Sequence, residues 1–167
     1  NSARYGGSVF NDDTFQMYGG EISGNSARYG GGVYNSGTFQ MYGGEISKNS
    51  CTSLGGGVCR ALTVGGTAVI NGNNGRGIED NVYLEEGETI WVDSERPLSS
   101  SADIGVITAT APTEKIPVDV TSHNKGDYSQ YFHSDNPAYQ IVNKNDVVQL
   151  TVKKESHTHT LTRTPAK

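Results

Sequence analysis

Apolar residues in the first half of the chain recur in a set order, with polar and glycine-rich turns between them. Val9, Phe15, Met17 and Ile22 are followed 24 residues later by Val33, Phe39, Met41 and Ile46. The cause is a 24-residue unit written twice almost verbatim, at residues 1–24 and 25–48. A period in this range marks a solenoid, in which one coil buries its apolar residues only against the next. Inside the unit, Thr38-Phe39-Gln40-Met41 alternates at period two, and the neighbouring glycines oppose a helix. Three short strands per coil are predicted, at residues 32–34, 38–41 and 45–47.

A third copy opens at Asn49, and Asn73 lies another 24 residues on. Here the text drifts while the length holds. Val58 comes one residue late and Val64 one residue early, yet Ile70 is again in step with Ile22 and Ile46. Insertions and deletions that cancel within one copy imply a constant coil perimeter. The inward set is read as Ala27, Val33, Phe39, Met41 and Ile46 in copy two. Ala3, Val9, Phe15, Met17 and Ile22 are its equivalents in copy one, and Cys51, Val58, Leu62, Val64 and Ile70 in copy three.

A perimeter of this length suits one turn of a parallel β-helix with coils stacked about 4.8 Å apart. A leucine-rich repeat would need its L-x-x-L-x-L pattern, and a propeller blade about 40 residues or more. The fold class is therefore all-β, a parallel β-helix. Conformational entropy exceeds what one coil can bury, so at least three coils are expected to fold together.

Beyond residue 80 the verbatim repeat stops, but apolar alternation persists at residues 82–84, 89–92, 104–107 and 116–120. Val82 and Val106 are again 24 apart, which favours continued winding in degenerate coils. Pro97, Pro112 and Pro117 should mark turns or edges. A hairpin is expected from 139–142 and 147–152 around Asn143-Lys-Asn-Asp146, and residues 128–153 are the predicted cap. The organisation is then regular coils at 1–80, degenerate coils and cap at 81–153, and a linker or tail at 154–167.

Composition narrows the partners. With 22 glycines, 34% apolar residues and a net charge of −5, the 167-residue chain has no basic stripe to neutralise nucleic-acid phosphates. No run reaches the ~20 apolar residues of a membrane span, so no membrane insertion is expected. The chain opens on the first residue of a repeat, without signal peptide or initiating methionine, so further coils are expected before residue 1.

Copies of the form Gly-Gly-Gly-Val-Tyr-Asn-Ser-Gly-Thr-Phe-x-Met-x-Gly-Gly-x-Ile-Ser-x-Asn, followed by Asp80-Asn-Val-Tyr-Leu, resemble right-handed β-helix regions of adhesin-like surface proteins from gut bacteria. The resemblance covers residues 1–92 well and 104–152 more loosely, and His157-Thr-His-Thr-Leu resembles the start of a further module. It implies a right-handed helix, an extracellular or cell-surface location, and a stalk or display role. Host or dietary glycans, or host surface proteins, would be the partners. The same fold carries glycoside hydrolases and polysaccharide lyases. The alternative is therefore the C-terminal part of a carbohydrate-active enzyme whose catalytic residues lie upstream.

Several polar and aromatic columns are candidates for sites. Asn1, Asn25, Asn49 and Asn73 align as a structural amide ladder. Tyr5 aligns with Tyr29, Phe10 with Tyr34 and Tyr18 with Tyr42; these stacks are favourable by themselves and could also dock sugar rings. Arg4 aligns with Arg28 and Glu21 with Glu45, with Lys48 placed to relieve the acidic pair. Asp12-Asp13 reads as a solvated turn rather than a calcium site. The acids Asp12, Asp13, Glu21, Glu45, Glu79 and Asp80 are scattered, so no catalytic set, metal or cofactor is expected.

Cys51 and Cys59 replace Ala27 and Tyr34, which puts one inside and the other outside and disfavours a disulfide. His157 and His159 could share a face and bind metal, but a flexible tail is the preferred reading. His123 and His133 have no partner visible in the sequence.

Overall fold

The structure, a computed structural model, describes residues 1–155. It is an all-β solenoid of about 6 turns. Each regular coil carries four strands rather than three. Side one is Ser2–Tyr5, Ser26–Tyr29 and Ser50–Leu54; side two is Val9–Asn11, Val33–Asn35 and Val58–Cys59. Side three is Thr14–Met17, Thr38–Met41 and Thr63–Val64, and side four is Glu21–Ser23, Glu45–Ser47 and Val69–Ile70. Side one escapes a pattern search because Ala is its one small inward residue. Its strands exist because the backbone ladders onto the next coil, and that needs no apolar face.

All four sides stack in parallel register, with Val9 on Val33 on Val58 on Val82, and Ile22 on Ile46 on Ile70 on Ile104. Val33, Phe39, Met41, Ile46, Val58, Val64 and Ile70 are fully or almost fully buried in one continuous column. The end coil departs from the expected inward set: Ala3 is exposed, and Val9 and Phe15 are only half-buried. Their side chains hold the right register but have a neighbour on one side only.

The changes in length in the third copy are resolved locally. Cys51 pairs with Ala27 but Leu54 with Tyr29, so the extra residue is a bulge at Thr52-Ser53. Thr63 then pairs with Gln40, which places the deletion in the turn after Cys59, and Val69 pairs with Glu45 with the step restored. Turns and a bulge absorb the changes, so the inward residues stay inward.

Regular winding ends on side one, where Asn74–Gly75 turns back antiparallel onto Ile78–Glu79. Asp103–Thr108 then runs as one strand across two sides: its start pairs with Val69–Ile70 and its end with Val82–Leu84. The coil is thereby shortened, and Val82 pairs with Val106 as the spacing implied. Side three gains Trp91–Val92, while the expected 116–120 strand is reduced to Val118–Asp119.

Phe132–Ser134 lies on Asp103–Thr108, and the hairpin Tyr139–Lys144 with Val147–Val152 follows. Asn145 and Asp146 take the positive φ values, 50° and 60°, that a two-residue hairpin turn demands. Val148 and Leu150 are buried in the same core as Phe132 and Val120, so the hairpin covers the C-terminal part of the column. Pro97, Pro112 and Pro117 all lie outside strands. No helix of the described residues is long and apolar enough to cross a membrane. His157, His159 and residues 156–167 of the predicted tail lie outside the described residues.

Candidate functional site

The asparagine column is a hydrogen-bonded ladder, and it runs further than the spacing indicated. Asn25 and Asn49 each donate Nδ2 to the next Oδ1, both at 3.0 Å, and Asn73 donates to Asn81 at 2.9 Å. Asn81 departs from the 24-residue period because the 74–79 hairpin tucks the chain back, so no periodic signal could have revealed it. Asn81 in turn donates to the buried Asp135. Asn1 lies at the other end and is exposed. A second, shorter ladder joins Asn11 Nδ2 to Asn35 Oδ1 at 2.8 Å. In a verbatim repeat every residue recurs, so recurrence alone does not separate this pair from its neighbours.

The aromatic stacks form as aligned. Tyr5 and Tyr29 stack at 5.3 Å, Phe10 and Tyr34 at 5.6 Å, and Tyr5 meets Tyr34 edge-on at 5.0 Å. The Arg4 and Arg28 guanidinium groups lie over the Tyr5 and Tyr29 rings. Within each stack the two rings cover one another's facing sides, while Tyr5, Phe10 and Tyr18 remain exposed. Ring–ring contact is favourable without a ligand, so stacking by itself accounts for the alignment of Tyr5, Tyr29 and Tyr34.

Side three differs. Its outward positions form a straight column of Gln16, Gln40, Thr63 and Trp91, in register across four strands. Gln16 Nε2 donates to Gln40 Oε1 at 2.7 Å. Trp91 is 60% exposed and, among the described residues, stacks on no other ring. Beside it, Thr63, Trp91, Val92, Asp93, Ser94 and Glu95 line a groove of about 360 Å³.

The corner next to this groove is built from distant segments. Arg96 places its guanidinium 5.3 Å from the Tyr18 ring centre and 4.7 Å from that of Tyr42. The Tyr42 hydroxyl faces the Asp93 carboxylate; burial first, and then this carboxylate, push that hydroxyl above its ordinary value. Burial would push the Asp93 carboxyl up as well. The N–H groups of Glu95 and Arg96, the Tyr42 hydroxyl and the Arg96 charge outweigh it and hold the carboxyl below its ordinary value. Asp93 therefore stays ionised at the rim. Trp91, Asp93 and Arg96 were not among the sequence candidates, because an indole in an unrepeated coil gives no column to notice. A larger groove, about 680 Å³, lies between residues 113–117 and the end of the hairpin, against the last described residues.

Both cysteines are free and both are buried, Cys51 at the inward position of Ala27 and Cys59 at the outward position of Tyr34, where neighbouring segments cover it. Cys59 pairs with Tyr34 and Tyr83 at an outward position, where the Arg60 and Glu85–Glu88 segment borders it. Of the acids, Asp12, Asp13, Glu21 and Glu45 are exposed, with Glu21 and Glu45 in register on adjacent coils. Glu79 is not scattered, because it meets His133 and Asp135 across the column's end. His133 thus has partners that the sequence did not show.

Comparison with known proteins gave no match: no family model, curated protein or solved structure matches this chain.

Proposed function

We propose that this chain is a structural and interaction module, the stalk or display segment of a secreted bacterial surface protein, and that it holds neutral glycans on the outer face of side three. The observation that carries the reading is Trp91, an exposed indole at the end of the outward column Gln16, Gln40, Thr63. A pyranose presents an apolar C–H face that suits an indole, and its hydroxyls match nearby amides and carboxylates. Asp93 and Glu95 at the rim disfavour anionic sugars, as does the net charge of −5. The resemblance of the repeats to adhesin-like surface regions supports the extracellular location.

The test is a glycan array of neutral host and plant glycans probed with the wild-type chain and with Trp91→Ala. Binding should fall at least about tenfold in the variant, with the fold intact because the indole is exposed. Absence of binding to any neutral glycan, or equal binding by both proteins, would overturn the reading. The pair Tyr18→Ala/Tyr42→Ala separates the corner from the indole, since it should weaken binding less than Trp91→Ala.

A further inference from the structure

We propose that Glu79, His133 and Asp135 form a binding site for a divalent transition metal of the zinc class, at the junction of the coiled column with its cap. The three residues come from two pieces of chain, Glu79 from the 74–79 hairpin and His133 and Asp135 from the strand Phe132–Ser134 and its continuation. One donor atom from each lies within 4.8 Å of the other two.

His133 is oriented by a neighbouring carboxylate. Its Nδ1 is 2.8 Å from Asp103 Oδ1, and a carboxylate oxygen there accepts, so Nδ1 carries the hydrogen. In the neutral ring Nε2 then carries the lone pair, turned toward the cluster. This carboxylate–imidazole arrangement is the one that sets up a histidine as a metal ligand. Nε2 is 3.6 Å from Asp135 Oδ1, too long for a hydrogen bond. It is close to the spacing of about 3.4 Å between two ligands held 2.0–2.1 Å from a tetrahedral ion.

Gly105 lies under the cluster, and a Cβ there would come within 2.3 Å of Asn81 Nδ2, 2.4 Å of Asp135 Oδ1 and 2.6 Å of His133 Nε2. Any other residue would fill the point on which these polar atoms converge. Asp135 is the rigid ligand, since its side chain is fully buried and held by Asn81. Glu79 is exposed, so an ion can reach the site from solvent and a water can complete the coordination. One imidazole and two carboxylates suit zinc better than calcium, which wants six or more oxygens.

Titration of the full chain with zinc chloride at neutral pH tests the site. One ion should bind, and cobalt(II) in its place should give the visible spectrum of a four-coordinate site. Glu79→Gln, at an exposed position that leaves folding intact, should weaken binding at least tenfold, as should His133→Ala. Asp103→Asn acts through the imidazole and should cost about 10- to 100-fold in affinity. His157→Ala/His159→Ala should bind as the wild type does. A wild-type chain that binds no zinc, retention of binding in Glu79→Gln and His133→Ala, or loss of binding in the His157/His159 variant would each overturn the proposal.

Discussion

Asn81 donates its backbone N–H to one oxygen of Asp135 and its side-chain amide to the other, both at 2.7 Å. The same two donors of Asn73, Asn49 and Asn25 both go to the single Oδ1 of the next asparagine. The ladder is therefore directional, with every amide giving toward the C-terminal end. Its last member must only accept, and a carboxylate does so with two oxygens where an amide would turn N–H against N–H.

Removing a middle rung should be expensive. Asn49 Nδ2 donates to Asn73, to Ile22 O at 2.8 Å and to Ser47 O at 3.0 Å, while its Oδ1 receives both donors of Asn25. Asn49→Ala leaves several of these buried groups without partners, each worth about 1–3 kcal/mol. We expect a loss of about 3–5 kcal/mol in denaturant unfolding. A loss below about 1 kcal/mol would show that the ladder is not what holds this corner.

Glycine positions separate contact from mere flexibility. A Cβ on Gly31 would stand 2.3 Å from the carbonyl oxygens of both Gly56 and Ser50, and so push the coils apart. Gly19 has nothing within 4 Å. Gly31→Ala should lose about 3 kcal/mol or more, and Gly19→Ala should change stability by no more than about 0.5 kcal/mol. Equal melting temperatures for the two variants would contradict the close approach.

The buried thiols predict an alkaline instability. Burial, reinforced by Asp80 at Cys51 and by Glu85 at Cys59, pushes both up to about 12. An unfolded thiol loses its proton near pH 8.5, about where the folded one still keeps it. The folded state thus holds more protons between about 8.5 and about 12, and stability must fall as pH rises through that window. Cys51→Ala places in the column the residue that Ala27 already supplies, and should lessen the fall measured by urea unfolding between pH 8 and pH 10. A thiol reagent at pH 8 should label neither cysteine until the chain unfolds, and rapid labelling of the native chain would count against their burial.

Fold and site were not equally legible. Val33, Phe39, Met41 and Ile46 announced the column because a repeat displays inward residues at a constant step. The hairpin turn was readable for a local reason, since Asn145-Asp146 accept positive φ. Trp91 and Arg96 were not readable, because their meaning depends on which residues of earlier coils lie beneath them. The columns of Tyr5 with Tyr29 and Phe10 with Tyr34 were legible as stacks, since a constant step sets equivalent rings one above the other.

The sequence by itself determined the coil perimeter, the parallel stacking and the identity of the inward residues, because each follows from a period and from the solvation of side chains. Tertiary structure alone decided that side one is a strand, that the ladder passes through Asn81 to Asp135, and that Glu79 meets His133. Those outcomes depend on where the winding breaks. At residues 74–81 the chain turns back, and at Asp103–Thr108 it crosses two sides in one strand, so residues distant along the chain become neighbours without any periodic trace.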